Sequence, residues 1–369
     1  MRRVLHVFGV MDRGGAETRT LEVMRRAVGR GYTFDFCVLG ARAGVYAPEI
    51  ARLGGRVLPC PLASRPLTFP VRLYRLLSDG GYDAVHSHVH QFSGVILLVA
   101  RAAGVRTRIA HVRSSDDGRR PTPFRRLYRA AMRALVERHA TRVVGVSASA
   151  MHAFWGPGWM RDRRKVVIYN GVEAAGPAGA PERAADRAAV RRELGLGPES
   201  RIVLHVGRFA PAKNHAGLVA IAAPLLARRA DAALVLVGDG PLRPAIAAAI
   251  AARGLAPRTR LLGARDDVPR LLRAADVLVH PSRWEGLPGA VLEALAAGLP
   301  VVASAIPPVL EIAHHVAGVT LADPADPLGF AHAVEMVLAA PATAETRVGP
   351  LPGIFHAGAS TERLLACYR

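Results

Sequence analysis

The order of apolar and amphipathic segments constrains this chain more than any other feature. Short apolar runs alternate with stretches of helical spacing, and the alternation restarts after a segment rich in Ala, Gly and Pro at 174–200. Strands that alternate with helices form parallel sheets with helices on both faces. The pattern therefore predicts two doubly wound, Rossmann-like α/β domains. The predicted strands are 3–10, 33–40, 56–60, 82–89, 106–113 and 141–147, then 201–207, 232–240, 259–263, 276–282 and 300–305.

The restart of the pattern also predicts the domain boundaries. We assign 1–175 to an N-terminal domain and 176–354 to a C-terminal domain, joined near 174–198, and we expect a helix within 355–369 to pack back on the first domain. The 369 residues suffice for two hydrophobic cores. Ligands of open α/β sheets bind beyond the carboxyl ends of the strands, so two facing sheets would hold a ligand in the cleft between them.

Cysteine and hydropathy patterns indicate the compartment. Cys37, Cys60 and Cys367 are widely spaced and form no CxxC motif, which favours a reducing compartment and argues against a disulfide framework or a structural zinc site. The first apolar run is short and ends in a Gly-rich turn, as a buried strand does and a signal peptide does not. No run approaches the ~18 apolar residues of a membrane span. We expect a cytoplasmic protein.

Positive charge is concentrated in one part of the chain. The formal net charge is +20, and residues 101–165 hold 16 basic and 4 acidic residues. Such a surplus attracts anionic lipid, nucleic acid or an anionic substrate, although arginine enrichment of a solvated surface gives the same count. The chain has no recognisable nucleic-acid-binding motif and few aromatic residues among the arginines, so nucleic acid is the least favoured of these partners.

A basic amphipathic helix is predicted at 123–138, inside this region. Its apolar face consists of Phe124, Leu127, Tyr128, Ala131 and Leu135. The arginines that flank this face are Arg125, Arg126, Arg129 and Arg133. Two interpretations stay open. The apolar face is either the core face of a packed helix or a surface that lies in the membrane interface, as in a protein peripheral to the inner face of the plasma membrane.

The stretch GRFAPAKNH at 207–215 contains one of only two lysines. The other is Lys165, and the remaining 47 of the 49 basic residues are arginines. Lys213 follows Arg208 by five residues in a loop punctuated by Gly and Pro. A guanidinium binds two oxygens at once and an ammonium acts as a compact point charge. The pair is typical of a site for an oxygen-rich anion, although many lysines are simply solvated.

A second informative stretch is HPSRWEGLPGAVLEALAAGLPVVAS at 280–304. A helix is predicted to begin with Pro288 in its first turn and to end at Gly298. The backbone N–H of Leu287 would then lie at a helix N-terminus, where anions bind. Carboxylates at Glu285 and Glu293 would accept hydrogen bonds from the hydroxyls of an extended ligand.

These two stretches resemble the retaining GT-B glycosyltransferases of family 4, the group 1 glycosyltransferases. Glu285 and Glu293, followed by GLPVVAS, are similar to that family's signature, and GRFAPAKN is similar to its G-R-hydrophobic-x-x-x-K-N element. Other similar segments are MDRGGAE at 11–17, RIAHVR at 108–113, VIYNGVE at 167–173 and VGDGP at 237–241. The resemblance spans nearly the whole chain and implies the GT-B fold.

The resemblance implies roles for individual residues. Arg208 and Lys213 would hold the diphosphate of a nucleotide-sugar, and Glu293 would bind its ribose hydroxyls. Glu285 would contact the donor sugar, and His111 would lie at that sugar near the reacting centre. The other implied donor-site residues are Gly14, Gly15, Gly286, Leu287 and, near the base, Arg265.

The implied activity is transfer of a sugar from a nucleoside-diphosphate sugar, UDP-linked first and GDP-linked second, to an acceptor hydroxyl with retention of configuration. Two fixed cations stabilise charge that develops on the leaving diphosphate, so no metal is required. The expected acceptor is a lipid-linked glycan in polysaccharide or capsule biosynthesis, and a soluble natural product is the alternative. An alternative of another class is a protein of this fold that binds anionic surfaces or nucleic acid.

Three histidines alternate at the end of one predicted strand. His86, His88 and His90 are spaced so that their rings could face one way, as metal ligands do. The other interpretations are a lining for the acceptor and ordinary packing, and we favour both over a metal site.

Overall fold

The chain forms two open parallel sheets, one in each of two compact units. The computed structural model describes residues 1–116, 118, 122–173, 180–340 and 348–369. Unit 1 comprises Met1–Gly171 with Ala357–Arg369, and unit 2 comprises Val172–His356. Both sheets have the strand order of a doubly wound fold. The predicted fold class is therefore confirmed.

The sheet of unit 1 has the order β3-β2-β1-β4-β5-β6-β7. Its strands are β1 (Arg2–Phe8), β2 (Tyr32–Val38), β3 (Val57–Pro59), β4 (Ala84–Ser87), β5 (Thr107–Val112), β6 (Arg142–Gly145) and β7 (Lys165–Val167). Its helices are α1 (Gly15–Ala27), α2 (Ala47–Arg52), α3 (Phe69–Gly80), α4 (Ser93–Ala102), α5 (Pro123–His139) and α6 (Ala148–Trp155). The order reverses between β1 and β4, so ligand-binding groups are expected at the carboxyl ends of these two strands.

The sheet of unit 2 repeats this arrangement with the order β10-β9-β8-β11-β12-β13. Its strands are β8 (Arg201–Val206), β9 (Ala232–Val237), β10 (Thr259–Gly263), β11 (Val277–His280), β12 (Val301–Ser304) and β13 (Val319–Ala322). Its helices are α7 (Ala180–Glu193), α8 (His215–Arg228), α9 (Arg243–Ala252), α10 (Val268–Ala274), α11 (Gly289–Ala296), α12 (Pro307–His315) and α13 (Pro327–Ala339). Its reversal lies between β8 and β11.

The helix α14 (Ala357–Ala366) packs on the core of unit 1, far from it in sequence. The Arg2 guanidinium donates to the carbonyl of Tyr368 at 2.7 Å, and the Tyr32 hydroxyl donates to the carbonyl of Leu365 at 3.2 Å. The Tyr368 ring is buried beside Phe34. These contacts fix the segment after α14 against β1 and β2.

The segment where we expected the two domains to join, near 174–198, contains a helix that the sequence did not predict. This helix, α7, occupies 180–193 and belongs to unit 2. Its Arg187 and Arg191 each donate to the Asp276 carboxylate at 2.8 Å. Residues 174–179 lie outside the described residues. The short strands β7 and β13 and the helix α6 were not predicted either.

Candidate active site

The loops after β8 and β11 are tied together at the switch point of unit 2. Asn214 has a left-handed backbone (φ 52°) and caps α8 by accepting from the N–H of Gly217. Its side-chain amide donates across to the carbonyl of Pro281 at 3.1 Å, and the N–H of Arg283 donates to the carbonyl of Ala212 at 2.8 Å. The predicted anion loop and the predicted glutamate loop are therefore held side by side.

Glu285 is the centre of a polar cluster between these loops. Its Oε1 accepts from Lys213 Nζ at 2.6 Å, from the Ser282 hydroxyl at 2.8 Å and from His280 Nε2 at 3.0 Å. Burial acts to raise the pKa of the Glu285 carboxyl, but the Lys213 charge and the His280 hydrogen bond outweigh it and hold that pKa well below its usual range. Glu285 is thus a carboxylate at neutral pH.

His280 supports this carboxylate as a neutral ring. Its side chain is fully buried, and burial lowers its pKa below the usual 6.5 despite the hydrogen bond to Glu285. Because a carboxylate only accepts hydrogen bonds, the proton of His280 lies on Nε2. Sequence reasoning missed His280, Ser282 and Asn214, although all three lie inside the two stretches it singled out.

The other predicted residues of unit 2 lie around this cluster. Arg208 is exposed on the loop after β8, Gly286 and Leu287 are buried next to Glu285, and Glu293 is half-buried on α11. The helix begins at Gly289, so Pro288 caps it rather than opening its first turn. Arg265 makes ion pairs with Asp267 at 2.7 Å and Glu193 at 2.9 Å.

The predicted glycines of unit 1 lie where β1 leads into α1. Gly14 is the N-cap of α1 and Gly15 is its first residue. A Cβ at Gly14 would approach only the flexible end of the Glu17 side chain, and a Cβ at Gly15 would meet nothing within 4 Å. Once the Glu17 carboxylate moves aside, local sterics leave space at both positions.

Four histidines, three of them buried and His88 partly buried, form a network at the switch point of unit 1. They lie on or just after three adjacent strands: His6 on β1, His86 on β4, His88 just after β4 and His111 on β5. His6 and His86 are register partners in neighbouring strands. His6 Nδ1 lies 3.0 Å from His88 Nε2, and His86 Nε2 lies 2.9 Å from His111 Nδ1. His111 therefore belongs to a cluster of rings that its own motif did not predict.

Arg113 fixes the protons on one side of the network. Its Nε donates to His88 Nδ1 at 2.9 Å, and its other nitrogens donate to Asn170 and Thr20. Because a guanidinium cannot accept, the proton of His88 lies on Nε2, which donates to His6. Burial lowers the pKa of His6 to about 3, with a further contribution from Arg113. Burial also lowers the pKa of Arg113 to about 10, so Arg113 stays charged at neutral pH.

The network does not fit a metal ion. Among the described residues, His6, His86 and His88 bring ring nitrogens within 4.8 Å of one another. His6 Nδ1 and His88 Nε2 already bond to each other, and the charged Arg113 donates to His88 Nδ1. A cation would have to break these bonds beside a guanidinium. His90, which we had grouped with His86 and His88, packs instead on Phe154 at a ring distance of 5.3 Å.

The helix α5 turns its apolar stripe outward. Phe124 is 78% exposed, Leu127 is 70% exposed and Tyr128 is 37% exposed, whereas Arg125, Arg129 and Arg133 are only half-exposed. The core-face interpretation of this stripe is therefore wrong for Phe124 and Leu127. In the part of the chain that the structure describes, no helix combines the length and the apolar character needed to span a bilayer.

The fold matches solved glycosyltransferases along its whole length. The structure superposes on Anabaena Alr3699/HepE in complex with UDP-glucose with a TM-score of 0.78 and 20% identity, covering 99% of both chains. Two Rossmann-like parallel sheets, with the strand orders given above, define this architecture as the GT-B glycosyltransferase fold.

The sequence places the chain in a family. Residues 14–171 match the model described as glycosyl transferase 4-like domain, and residues 200–340 match glycosyl transferases group 1. The chain is 36% identical to the putative glycosyltransferase EpsF of Bacillus subtilis (strain 168), covering 82% of this chain and 79% of EpsF. It belongs to the group 1 glycosyltransferase family, as its motifs predict.

Two further relatives are glycosyltransferases named for a pathway or a substrate. One is the capsular polysaccharide biosynthesis glycosyltransferase CapH of Staphylococcus aureus, 27% identical over 80% of this chain and 79% of CapH. The other is the UDP-Gal:alpha-D-GlcNAc-diphosphoundecaprenol alpha-1,3-galactosyltransferase of Escherichia coli, 30% identical over 64% of this chain and 61% of that enzyme.

Proposed function

We propose that this glycosyltransferase is a retaining enzyme that moves a sugar from a UDP-sugar to a hydroxyl of a lipid-linked glycan. The observation that carries the donor assignment is the Lys213–Glu285 contact of 2.6 Å at the carboxyl ends of β8 and β11. A similar fold in Anabaena binds UDP-glucose, and a relative takes UDP-galactose and a diphosphoundecaprenol acceptor. A GDP-sugar is the second candidate donor.

In the proposed donor site, the positive charge lies where the diphosphate would bind. Lys213 neutralises Glu285, so the exposed guanidinium of Arg208 supplies the net positive charge of the cluster. As the glycosyl–phosphate bond breaks, negative charge grows on the diphosphate, and one pre-placed donor aimed at it stabilises the transition state by roughly 3–4 kcal/mol. The side-chain cations take the place of a metal ion, so transfer should persist in EDTA.

The remaining roles follow the family pattern. The N–H groups of Gly286 and Leu287 would bind sugar and phosphate oxygens, and Glu293 would bind the ribose hydroxyls. Gly14 and Gly15 would let the backbone approach the donor, and His111 would bind the donor sugar. Arg265 would frame the base, although two carboxylates already hold its guanidinium.

A thermal-shift panel tests the donor site. The melting temperatures of wild type and Lys213→Ala are measured with UDP, GDP, ADP, dTDP and NAD. A nucleotide present at about 100 times its dissociation constant for wild type adds ~2.7 kcal/mol to the free energy of unfolding. Lys165→Ala is the matched control, because Lys165 is the other lysine and pairs with Glu137 and Asp162 in unit 1.

The outcomes of the panel separate the alternatives. UDP should stabilise wild type and Lys165→Ala but not Lys213→Ala. Stabilisation by GDP alone would show that the donor is a GDP-sugar and not a UDP-sugar. If no nucleotide stabilises wild type, the donor site is wrong, and binding of anionic surfaces becomes the better account of the basic chain.

We also propose that the exposed stripe of α5 contacts the membrane that carries the acceptor. Apolar side chains of an amphipathic helix insert below the headgroups, while basic residues bind anionic lipid and are released by salt. Wild type should bind vesicles of phosphatidylglycerol and phosphatidylcholine at low salt, and Phe124→Ser/Leu127→Ser should not. The control is Leu328→Ser/Met336→Ser, a similarly exposed apolar pair on α13. No vesicle binding by wild type would favour a soluble acceptor.

A further inference from the structure

Three hydrogen-bonded side chains connect the segment after α14 with His111. Tyr368 Oη lies 2.7 Å from His86 Nδ1, and His86 Nε2 lies 2.9 Å from His111 Nδ1. Tyr368 and His86 are each 1% exposed and His111 is 2% exposed. Bulk water therefore does not compete for these atoms, and the three side chains must satisfy one another.

Two arrangements of protons fit this chain. In the first, the Tyr368 hydroxyl donates to His86 Nδ1, His86 Nε2–H donates to His111 Nδ1, and the proton of His111 lies on Nε2. In the second, every bond is reversed, and His111 Nε2 carries a lone pair instead. A neutral imidazole has one donor and one acceptor nitrogen, so no mixed arrangement makes both bonds.

The surroundings of Tyr368 favour the first arrangement. The hydroxyl of Tyr368 bonds to His86 and to no other group in the part of the chain that the structure describes. Each arrangement leaves one buried proton without an acceptor among the described residues, on His111 Nε2 in the first and on the Tyr368 hydroxyl in the second. A phenol hydroxyl is the better donor and an imidazole nitrogen is the better acceptor, so the Tyr368–His86 bond is stronger in the first direction.

The first arrangement leaves one N–H at the far end of the chain. His111 Nε2 is buried and has no hydrogen-bond partner among the described residues. His111 immediately precedes Val112, the last residue of β5, so it lies at the sheet edge where open α/β folds bind ligands. A buried donor at this edge calls for an acceptor on a ligand.

We propose that Tyr368 is a positioning residue that acts through His86 to hold His111 as its Nε2–H tautomer, a neutral donor to an oxygen of the bound donor sugar. The identity of that oxygen rests on the proposed function. The tautomer is a property of the free protein and can be tested without substrate.

Nitrogen NMR of the histidine rings tests the tautomer. In wild-type protein labelled with 15N-histidine, the spectrum should show His111 protonated on Nε2, with its signals assigned by their loss in His111→Gln. In Tyr368→Phe, His86 Nδ1 loses its donor, so the Nδ1–H form of His111 should become populated. A proton on Nδ1 in wild type, or an unchanged spectrum in Tyr368→Phe, would overturn the proposal.

Tyr32→Phe is the matched control for Tyr368→Phe. The Tyr32 hydroxyl anchors the same helix through Leu365 and touches neither His86 nor His111. Tyr368→Phe should lower kcat about tenfold, the effect of one disrupted buried hydrogen bond, while the KM for the donor changes less than about twofold. Tyr32→Phe should keep both constants and the wild-type ring spectrum. An equal loss of kcat in both variants would show that the effect comes from the docking of α14, and it would overturn the proposal that Tyr368 acts through His86.

The two experiments also distinguish this proposal from the proposed function. If wild type transfers no sugar from any nucleotide-sugar, the proposed function fails, and the ring spectra of wild type and Tyr368→Phe still decide whether Tyr368 sets the tautomer.

Discussion

Unit 1 and unit 2 share a strand order, yet the polar groups buried at their switch points differ in charge. In unit 2, the cluster is an ion pair between Lys213 and Glu285 with neutral donors around it. In unit 1, it is a set of neutral imidazoles with a single cation, Arg113. In both units the fold places groups at the strand ends, while the side chains there determine which part of a ligand each unit suits. A charged cluster suits a diphosphate, and neutral rings suit hydroxyls.

Removing one group from each cluster should affect the rate of sugar transfer to different extents. Lys213→Met removes a fixed charge from the proposed diphosphate site and should lower kcat about 10²–10³-fold. His111→Ala removes a neutral donor and should cost about tenfold. Steady-state transfer rates from the UDP-sugar measure both, with Lys165→Met as the control. A larger loss in His111→Ala than in Lys213→Met would show that charge is not what separates the two clusters.

The two units also differ in the stability that a buried aspartate contributes away from the strand ends. Each unit buries one aspartate among arginines, with Asp35 and Asp276 both 6% exposed at the side chain. Asp276 pairs with Arg191, which is itself 3% exposed, whereas the partner of Asp35, Arg56, is 57% exposed. Asp276→Asn leaves a buried charge uncompensated and should lower the free energy of unfolding by about 3–5 kcal/mol. Asp35→Asn should lower it by about 1–2 kcal/mol, because water can solvate its partner.

Tryptophan fluorescence in urea can follow the two units separately. Trp284 belongs to unit 2, and Trp155 and Trp159 belong to unit 1. Unfolding would be recorded in backgrounds that keep only one unit's tryptophans. Equal losses for the two aspartate variants would contradict the argument from partner exposure.

Lowering the pH should reduce the free energy of unfolding of both units, and the reduction should stop at a different pH in each. Burial lowers the pKa of His6 to about 3 and that of His215 to about 4, whereas histidine in an unfolded chain titrates near 6.5. Below pH 6.5 the unfolded state binds a proton that the folded state does not, so the free energy of unfolding falls by about 1.4 kcal/mol per pH unit for each such histidine. The loss from His6 continues to about pH 3, and that from His215 ends near pH 4.

Urea unfolding between pH 4.5 and 7 measures this slope. His6→Phe should reduce the slope for unit 1 by about 1.4 kcal/mol per pH unit, whatever its stability at pH 7. The slope for unit 2, which contains His215, is the internal control and should be the same in His6→Phe as in wild type. An unchanged slope in His6→Phe would show that His6 does not resist protonation.

The sequence predicts what depends on local pattern and misses what depends on distant contacts. The long strands and the two loops at 207–215 and 280–304 are marked by apolar runs and by Gly and Pro. By contrast, Tyr368 bonds to His86, which lies 282 positions away, and no periodicity in the sequence predicts such a pair. The exposed stripe of α5 was ambiguous for a related reason, since amphipathic spacing does not tell whether another element covers the apolar face.

The two crossings between the units have a consequence for folding. The polypeptide leaves unit 1 after Gly171 and returns at Ala357, so unit 2 is topologically an insertion into unit 1. At these crossings Val172 and His356 form a parallel bridge, and the N–H of Val172 donates to the carbonyl of Phe355 at 2.8 Å. An inserted domain whose ends are adjacent brings the flanking parts of its host together and so removes much of the entropy cost of closing a long loop. Folding of the inserted domain therefore favours formation of the Tyr368–His86 hydrogen bond, which joins the two separated parts of unit 1.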